Sequence, residues 1–159
     1  MMDTGTETEQ PDPIDRAIDA ILRLQPIMHR KMRREVFFAG LRQLGMNIAA
    51  HHVIIMGVLQ NLGRATSSEI GEATYISKAQ MTHSTSKLIR MGLIESHPDT
   101  RDKRKANLQL TAKGRHTVDR MHQIIVRLLK ESLSSLPPDE VEKLGRSLEE
   151  AASVFMELR

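Results

Sequence analysis

Residues Asp99–Gly114 read DTRDKRKANLQLTAKG, and their order decides how the rest of the chain is organised. Six of the first seven residues are charged. The next five alternate, with Ala106, Leu108 and Leu110 on one side and Asn107 and Gln109 on the other. A period of two is the pattern of a half-buried strand. Thr111 then stands where a helix cap is needed, ahead of a long run of helical periodicity. A charged turn, a strand and a capped helix follow one another directly.

Upstream, LIESH at 93–97 reads as the partner strand, so 98–105 form the basic tip of a two-stranded hairpin. Two capping signatures precede it. Thr66 with Glu69 three residues on opens a short helix that carries Ile70 and Ala73 inward and ends near Tyr75. Ser77 with Gln80 repeats the signature and opens a helix that runs to about Met91, where Gly92 supplies a left-handed stop. Two helices across a tight turn make a helix-turn-helix. The second has a narrow apolar stripe of Met81, Thr85, Leu88 and Met91. Its other faces carry Lys78, Gln80, Thr82, His83, Ser84, Ser86, Lys87 and Arg90. Core packing explains so polar a helix poorly, whereas a face left free for the major groove explains it well.

The flanks are amphipathic. Residues 1–12 are expected to be a disordered acidic tail. A helix starts near Pro13 with Asp12 as its cap and Ile14, Ile18, Ile21, Leu22, Met28, Met32 and Val36 at helical spacing. Pro26 lacks an N–H and is expected to kink it. A second helix covers about Ala49–Leu62, closed by Gly63. After Thr111, Val118, Met121, Ile125 and Leu128 mark a long helix. Residues 137–140, PPDE, break it and start the last one, with Val141, Leu144, Leu148, Ala151, Phe155 and Leu158 along one side. These stripes exceed what a small hairpin-bearing domain can cover. Either they pack within one chain or a second copy covers them.

Composition bounds the chemistry. Forty per cent of residues are apolar, 3% are aromatic and Trp is absent, so the core of this single domain is expected to be aliphatic and Met-rich. The absence of Cys excludes disulfides, thiolate metal sites and thiol redox switches within the chain. No apolar run is long enough to span a membrane, and the acidic N-terminus is unlike a signal peptide, so a cytoplasmic, nucleoid-associated location is expected. Residues 1–15 hold five acids and no Lys or Arg, whereas 77–115 hold nine basic residues against three acids. A localised positive field suits a polyanion. No Gly-rich phosphate loop, nucleophile elbow or metal-ligand spacing appears, so no catalysis, cofactor or metal is expected.

The stretch at 99–114 resembles the wing of the MarR family of winged-helix regulators, whose signature is D-x-R-D-x-R, an alternating strand and L-T-x-x-G. Asp99, Arg101, Asp102, Arg104, Leu110, Thr111 and Gly114 complete it. Ser77, Leu88, Gly92 and Leu93 match the family's recognition helix in spacing. The chain departs from the pattern at His83, where the family often has Arg, and at Ala49, where it often has Thr. The resemblance spans about residues 14–158. It implies a mainly α fold with a small β-hairpin wing. A winged helix-turn-helix would cover about 49–110, with dimerisation helices at about 13–44 and 111–158 inside one domain over 13–159.

The resemblance further implies a homodimer on a pseudo-palindromic operator in double-stranded DNA, a repressor released by a small aromatic or phenolic ligand. A constitutive or architectural DNA-binding protein without an effector is the alternative. The DNA contacts expected are Thr66, Ser67, Ser77, Lys78, Gln80, Met81, Thr82, Ser84 and Lys87, with Arg101, Lys103, Arg104 and Lys105 in the wing. Asp99 and Asp102 would hold the wing arginines in place. A ligand pocket would draw on Met28, Met32, His51, His52 and Met56.

Overall fold

The computed structural model describes residues 12–98 and 106–158. Helix α1 (Pro13–Met28) leads into a π-helical segment (His29–Phe37) and then α2 (Phe38–Leu44). Helix α3 (Ala50–Leu62), strand β1 (Arg64–Thr66), α4 (Ser67–Thr74) and α5 (Lys78–Arg90) follow. Strands β2 (Ile94–Pro98) and β3 (Ala106–Leu110) lead to α6 (Ala112–Leu133) and α7 (Pro138–Glu157). The fold is mainly helical with one small antiparallel sheet, as expected.

Local chemistry sets most boundaries. Asp12 caps α1 by accepting from the Ile14 N–H at 3.3 Å. Gly45 ends α2 at φ 68°, and Gly92 turns the chain out of α5 at φ 66°. Both values lie where a side chain is disfavoured. Pro26 sits inside α1 without breaking it. The helix continues, and its hydrogen-bond pattern changes only at His29, where the wider π turns begin.

The sheet has three strands in the order β1-β3-β2, not the two-stranded hairpin expected. Strand β1 pairs antiparallel with β3, Ala65 opposite Leu108, and β2 pairs on the other side, Ile94 opposite Leu110. With only three residues, β1 is too short to show a period of two. Leu108 and Leu110 point into the core as the alternation predicts. The core is aliphatic and sulfur-rich: Ile55, Met56, Leu59, Ile70, Met81, Leu88, Leu93, Ile94 and Met121 are nearly or wholly buried. Ile70 turns inward as expected, whereas Ala73 is exposed because α4 buries a single apolar position.

The junction of sheet and α6 is tightly specified. Thr111 Oγ1 caps α6 by accepting from the Gly114 N–H at 3.0 Å and donates to Gly92 O at 2.7 Å. A Cβ on Gly114 would lie 1.9 Å from Leu93 O, so only glycine allows this approach. Helices α1 and α7 contain no buried residue. Ile14, Ile18, Ile21, Leu144, Leu148 and Phe155 remain 40–66% exposed. No helix among the described residues is long and apolar enough to cross a membrane.

Candidate nucleic-acid interface

Helices α4 and α5 begin on adjacent caps. Thr66 Oγ1 accepts from the Glu69 N–H at 3.3 Å, and Glu69 Oε2 reaches back to the Thr66 N–H at 2.7 Å. The Thr66 hydroxyl also donates to Glu69 at 2.8 Å, so its proton is committed within the cap. Ser77 Oγ accepts from the Gln80 N–H at 3.3 Å and starts α5.

Helix α5 divides into two faces. Met81, Ser84, Thr85 and Leu88 lie underneath, all buried, and anchor the helix on the core. Ser77, Lys78, Gln80 and Thr82 lie exposed on the other side, and Lys87 is half-buried. Two expected base contacts are therefore corrected. Met81, at 2% exposure, and Ser84, at 0%, fall on the inward stripe and cannot reach a duplex without the helix leaving its seat. The Ser84 hydroxyl is buried without a hydrogen-bond partner. Thr82 and Thr85, by contrast, return theirs to backbone carbonyls one turn back.

Ser67, Lys78 and Thr82 come together at a shallow depression of about 360 Å³ between the first turns of α4 and α5, with Ser68 and Glu72 beside them. Helix α5 carries Lys78, Lys87 and Arg90 and no carboxylate, so its field is positive. Hydroxyls, a lysine and a helix N-terminus in one surface are what a phosphate backbone requires. Arg101, Lys103, Arg104, Lys105, Asp99 and Asp102 lie outside the described residues.

At the base of the wing, a polar row that sequence reasoning missed crosses the outer face of the sheet. Arg64 Nε donates to Gln109 Oε1 at 2.6 Å, and Gln109 Nε2 donates to Glu95 Oε1 at 2.5 Å. His97 Nε2 stands 3.5 Å from the same carboxylate. The hydrogen bond from Gln109 first, then the neighbouring His97, hold the Glu95 carboxyl below its usual pKa. Gln109, at an outward position of the alternation, was the available signal, but β1 was needed to bring Arg64 to it.

Behind the interface lies a cleft of about 540 Å³. Met32, Val36 and Phe37 from the π-helical segment, Ile54 of α3 and Ile125 of α6 make its apolar lining. His29, Arg33, His51, Tyr75 and Gln80 add polar groups. Of the expected pocket residues, Met32 and His51 line this cleft and three do not. Met28 lies outside the lining at 40% exposure, and Met56 is fully buried core. His52 is 3% exposed and serves the start of α3, its Nδ1 accepting from the Ala49 N–H at 3.0 Å. Burial first, then His51 and Lys87, push the His52 pKa from 6.5 down to about 4. Burial, Lys87 and His83 lower that of His51 as well. His29, Arg33 and Tyr75 escaped sequence reasoning because they join the site only when the N-terminal helix packs beside the helix-turn-helix.

Residues 49–114 match the family model described as a winged helix DNA-binding domain. In three dimensions, a cysteine-to-serine mutant of MarR from E. coli superposes with a TM-score of 0.69 at 22% identity, covering 90% of this chain and 98% of that one. The chain is a winged-helix protein with the MarR fold. The same MarR mutant complexed with operator DNA superposes at 0.63 and 22% identity, over 89% and 99% of the two chains. Two curated relatives match part of the chain by sequence. YkoM of Bacillus subtilis (strain 168), an uncharacterised HTH-type transcriptional regulator, is 28% identical over 90 residues, 57% of this chain and 58% of its own length. IacR of Pseudomonas putida, an HTH-type transcriptional repressor, is 24% identical over 95 residues, 60% and 57% respectively. The chain thus spans under three fifths of the length of either relative.

Proposed function

We propose that this MarR-fold chain is a sequence-specific DNA-binding transcriptional repressor that acts as a homodimer on a pseudo-palindromic operator and is released by a small aromatic ligand. The observation that carries the reading is the division of α5. One face is locked on the core by Met81, Ser84 and Leu88, while Ser77, Lys78, Gln80 and Thr82 stay exposed beside Ser67. Such a helix enters a major groove with its first turns, where Gln pairs with adenine and Lys with guanine. Lys87 adds a phosphate contact, and the wing arginines reach the flanking groove.

The dimer rests on α1 and α7, whose apolar faces bury nothing within one chain. Covering them with a second copy would place two recognition helices about one DNA turn apart. Ligand release rests on the cleft beside Tyr75 and Gln80, which borders the turn of the helix-turn-helix. An occupant that binds one spacing of the two α5 helices better than another shifts operator affinity by that difference. The relatives' printed roles, operator binding for MarR and repression for IacR, agree with the reading.

A gel shift of the DNA upstream of the chain's own gene, with light scattering on the free protein, tests both parts. The expected result is a retarded complex that disappears as salt is raised, from a protein of twice the chain mass. A monomer, or retardation equal on unrelated DNA, would refute the reading.

A further inference from the structure

Tyr75 joins α4 to α5 with φ 55° and ψ 24°, in the left-handed region. Among the described residues it is the sole non-glycine with positive φ. Glycine or asparagine forms such a turn with less strain, and a bulky aromatic forms it with more. The residue is 97% exposed, so core packing does not explain the choice. It nonetheless stands on the rim of the cleft described above. Strain held at a rim with no packing return is the mark of a functional position.

Across the rim, Met32, Phe37 and Ile54 supply apolar surface, and His29, Arg33 and His51 supply cationic or cation-capable groups. Among the described residues, the lining contains no carboxylate. The chemistry therefore matches an aromatic anion: a flat apolar body for the walls and a negative group for Arg33, with the imidazoles as hydrogen-bond donors. We propose that Tyr75 is an aromatic lid, its ring folding from solvent onto an aromatic anion in this cleft and tying the helix-turn-helix turn to the occupant. Ring-on-ring packing supplies the attraction. Because Tyr75 is followed directly by Ile76 and the Ser77 cap, a displacement of the turn is passed to the first turn of α5, where Lys78 sits. Gln80, on the same turn, lines the same cleft. The inference rests on the reading of the cleft as a ligand site.

The chain has one Tyr and no Trp, so 3-fluorotyrosine incorporation places a single fluorine label at Tyr75 in the full chain. Benzoate and 2-naphthoate are the probes, with cyclohexylammonium as a cation of similar size and calorimetry as the independent measure of binding. On saturation with an aromatic anion, the fluorine resonance is expected to shift and to lose its sensitivity to exchange of water for heavy water. The cation is expected to do neither. Tyr75→Asn and Tyr75→Gly both suit the turn. Each is expected to weaken anion binding about fivefold, the scale of one aromatic contact, with DNA affinity in the absence of anion unchanged. Calorimetric binding with the resonance still solvent-exposed, or with both variants binding equally well, overturns the lid and leaves the cleft reading intact. Absence of any anion binding overturns both. Loss of DNA affinity by the variants without anion identifies Tyr75 as a DNA contact and also overturns the lid.

Discussion

Thr111 and Gly92 lie 19 residues apart in sequence, yet Thr111 Oγ1 donates a 2.7 Å hydrogen bond to the Gly92 carbonyl. The same hydroxyl accepts from the Gly114 N–H, and the Thr111 N–H donates to Leu93 O at 3.1 Å. One side chain thus fastens the end of α5 to the start of α6. Thr111→Val keeps the shape but loses both hydroxyl bonds. It is expected to cost about 1–2 kcal/mol, while Thr111→Ser keeps most of that. Urea denaturation with an unchanged m-value checks the pair, and equal stability of the valine variant would contradict the fastening.

Gly114 explains the last position of the L-T-x-x-G pattern. A methyl group there meets Leu93 O at 1.9 Å, and a backbone carbonyl in a sheet junction cannot swing aside as a side chain does. Gly114→Ala is expected to destabilise by about 3 kcal/mol or to prevent folding. A thermal midpoint close to that of the unsubstituted chain would show that the junction relaxes.

Local rules of this kind were legible in the sequence because they act over three or four residues. Thr66 with Glu69, Ser77 with Gln80 and Thr111 with Gly114 each declare a helix start. What stayed hidden depends on contacts between distant segments. Strand β1 is recognisable only once β3 lies beside it, so the Arg64–Gln109–Glu95 row could not be foreseen. The polarity of Ser84 suggested an outward position, but helical phase places it with Leu88, four residues on, facing the core. His52 and Met56 were expected in the pocket with His51, although α3 turns them inward and His51 toward the cleft.

The two faces of α5 predict opposite outcomes for two substitutions. Lys78→Ala is expected to weaken DNA binding and to lower the steepness of its salt dependence by about one charge. Ser84→Ala removes a buried hydroxyl without a partner and is expected to leave DNA affinity unchanged, with stability equal or higher by about 1 kcal/mol. Fluorescence anisotropy titrations across a salt series, with melting curves, decide the matter. A loss of affinity from Ser84→Ala would return that residue to the interface.

His52 makes the fold acid-sensitive. Its Nδ1 must stay unprotonated to accept from the Ala49 N–H, and its folded pKa is about 4 against 6.5 for a free imidazole. Between those values the unfolded chain binds the extra proton. The contribution of this group to stability is therefore complete above pH 6.5 and declines as pH falls toward 4. Gln at the same position can accept the Ala49 N–H without titrating. His52→Gln is expected to flatten the decline between pH 6.5 and 4 in denaturation series, and an unchanged slope would assign the acid sensitivity elsewhere.

The proposed homodimer would set two α5 helices symmetrically on DNA. Hydroxyl-radical footprinting on a sequence selected from a random pool by the full chain measures it directly. Two protected patches of equal strength, related by two-fold symmetry and centred about one helical turn apart, are expected. A single patch, or uniform weak protection along the whole fragment, would contradict it.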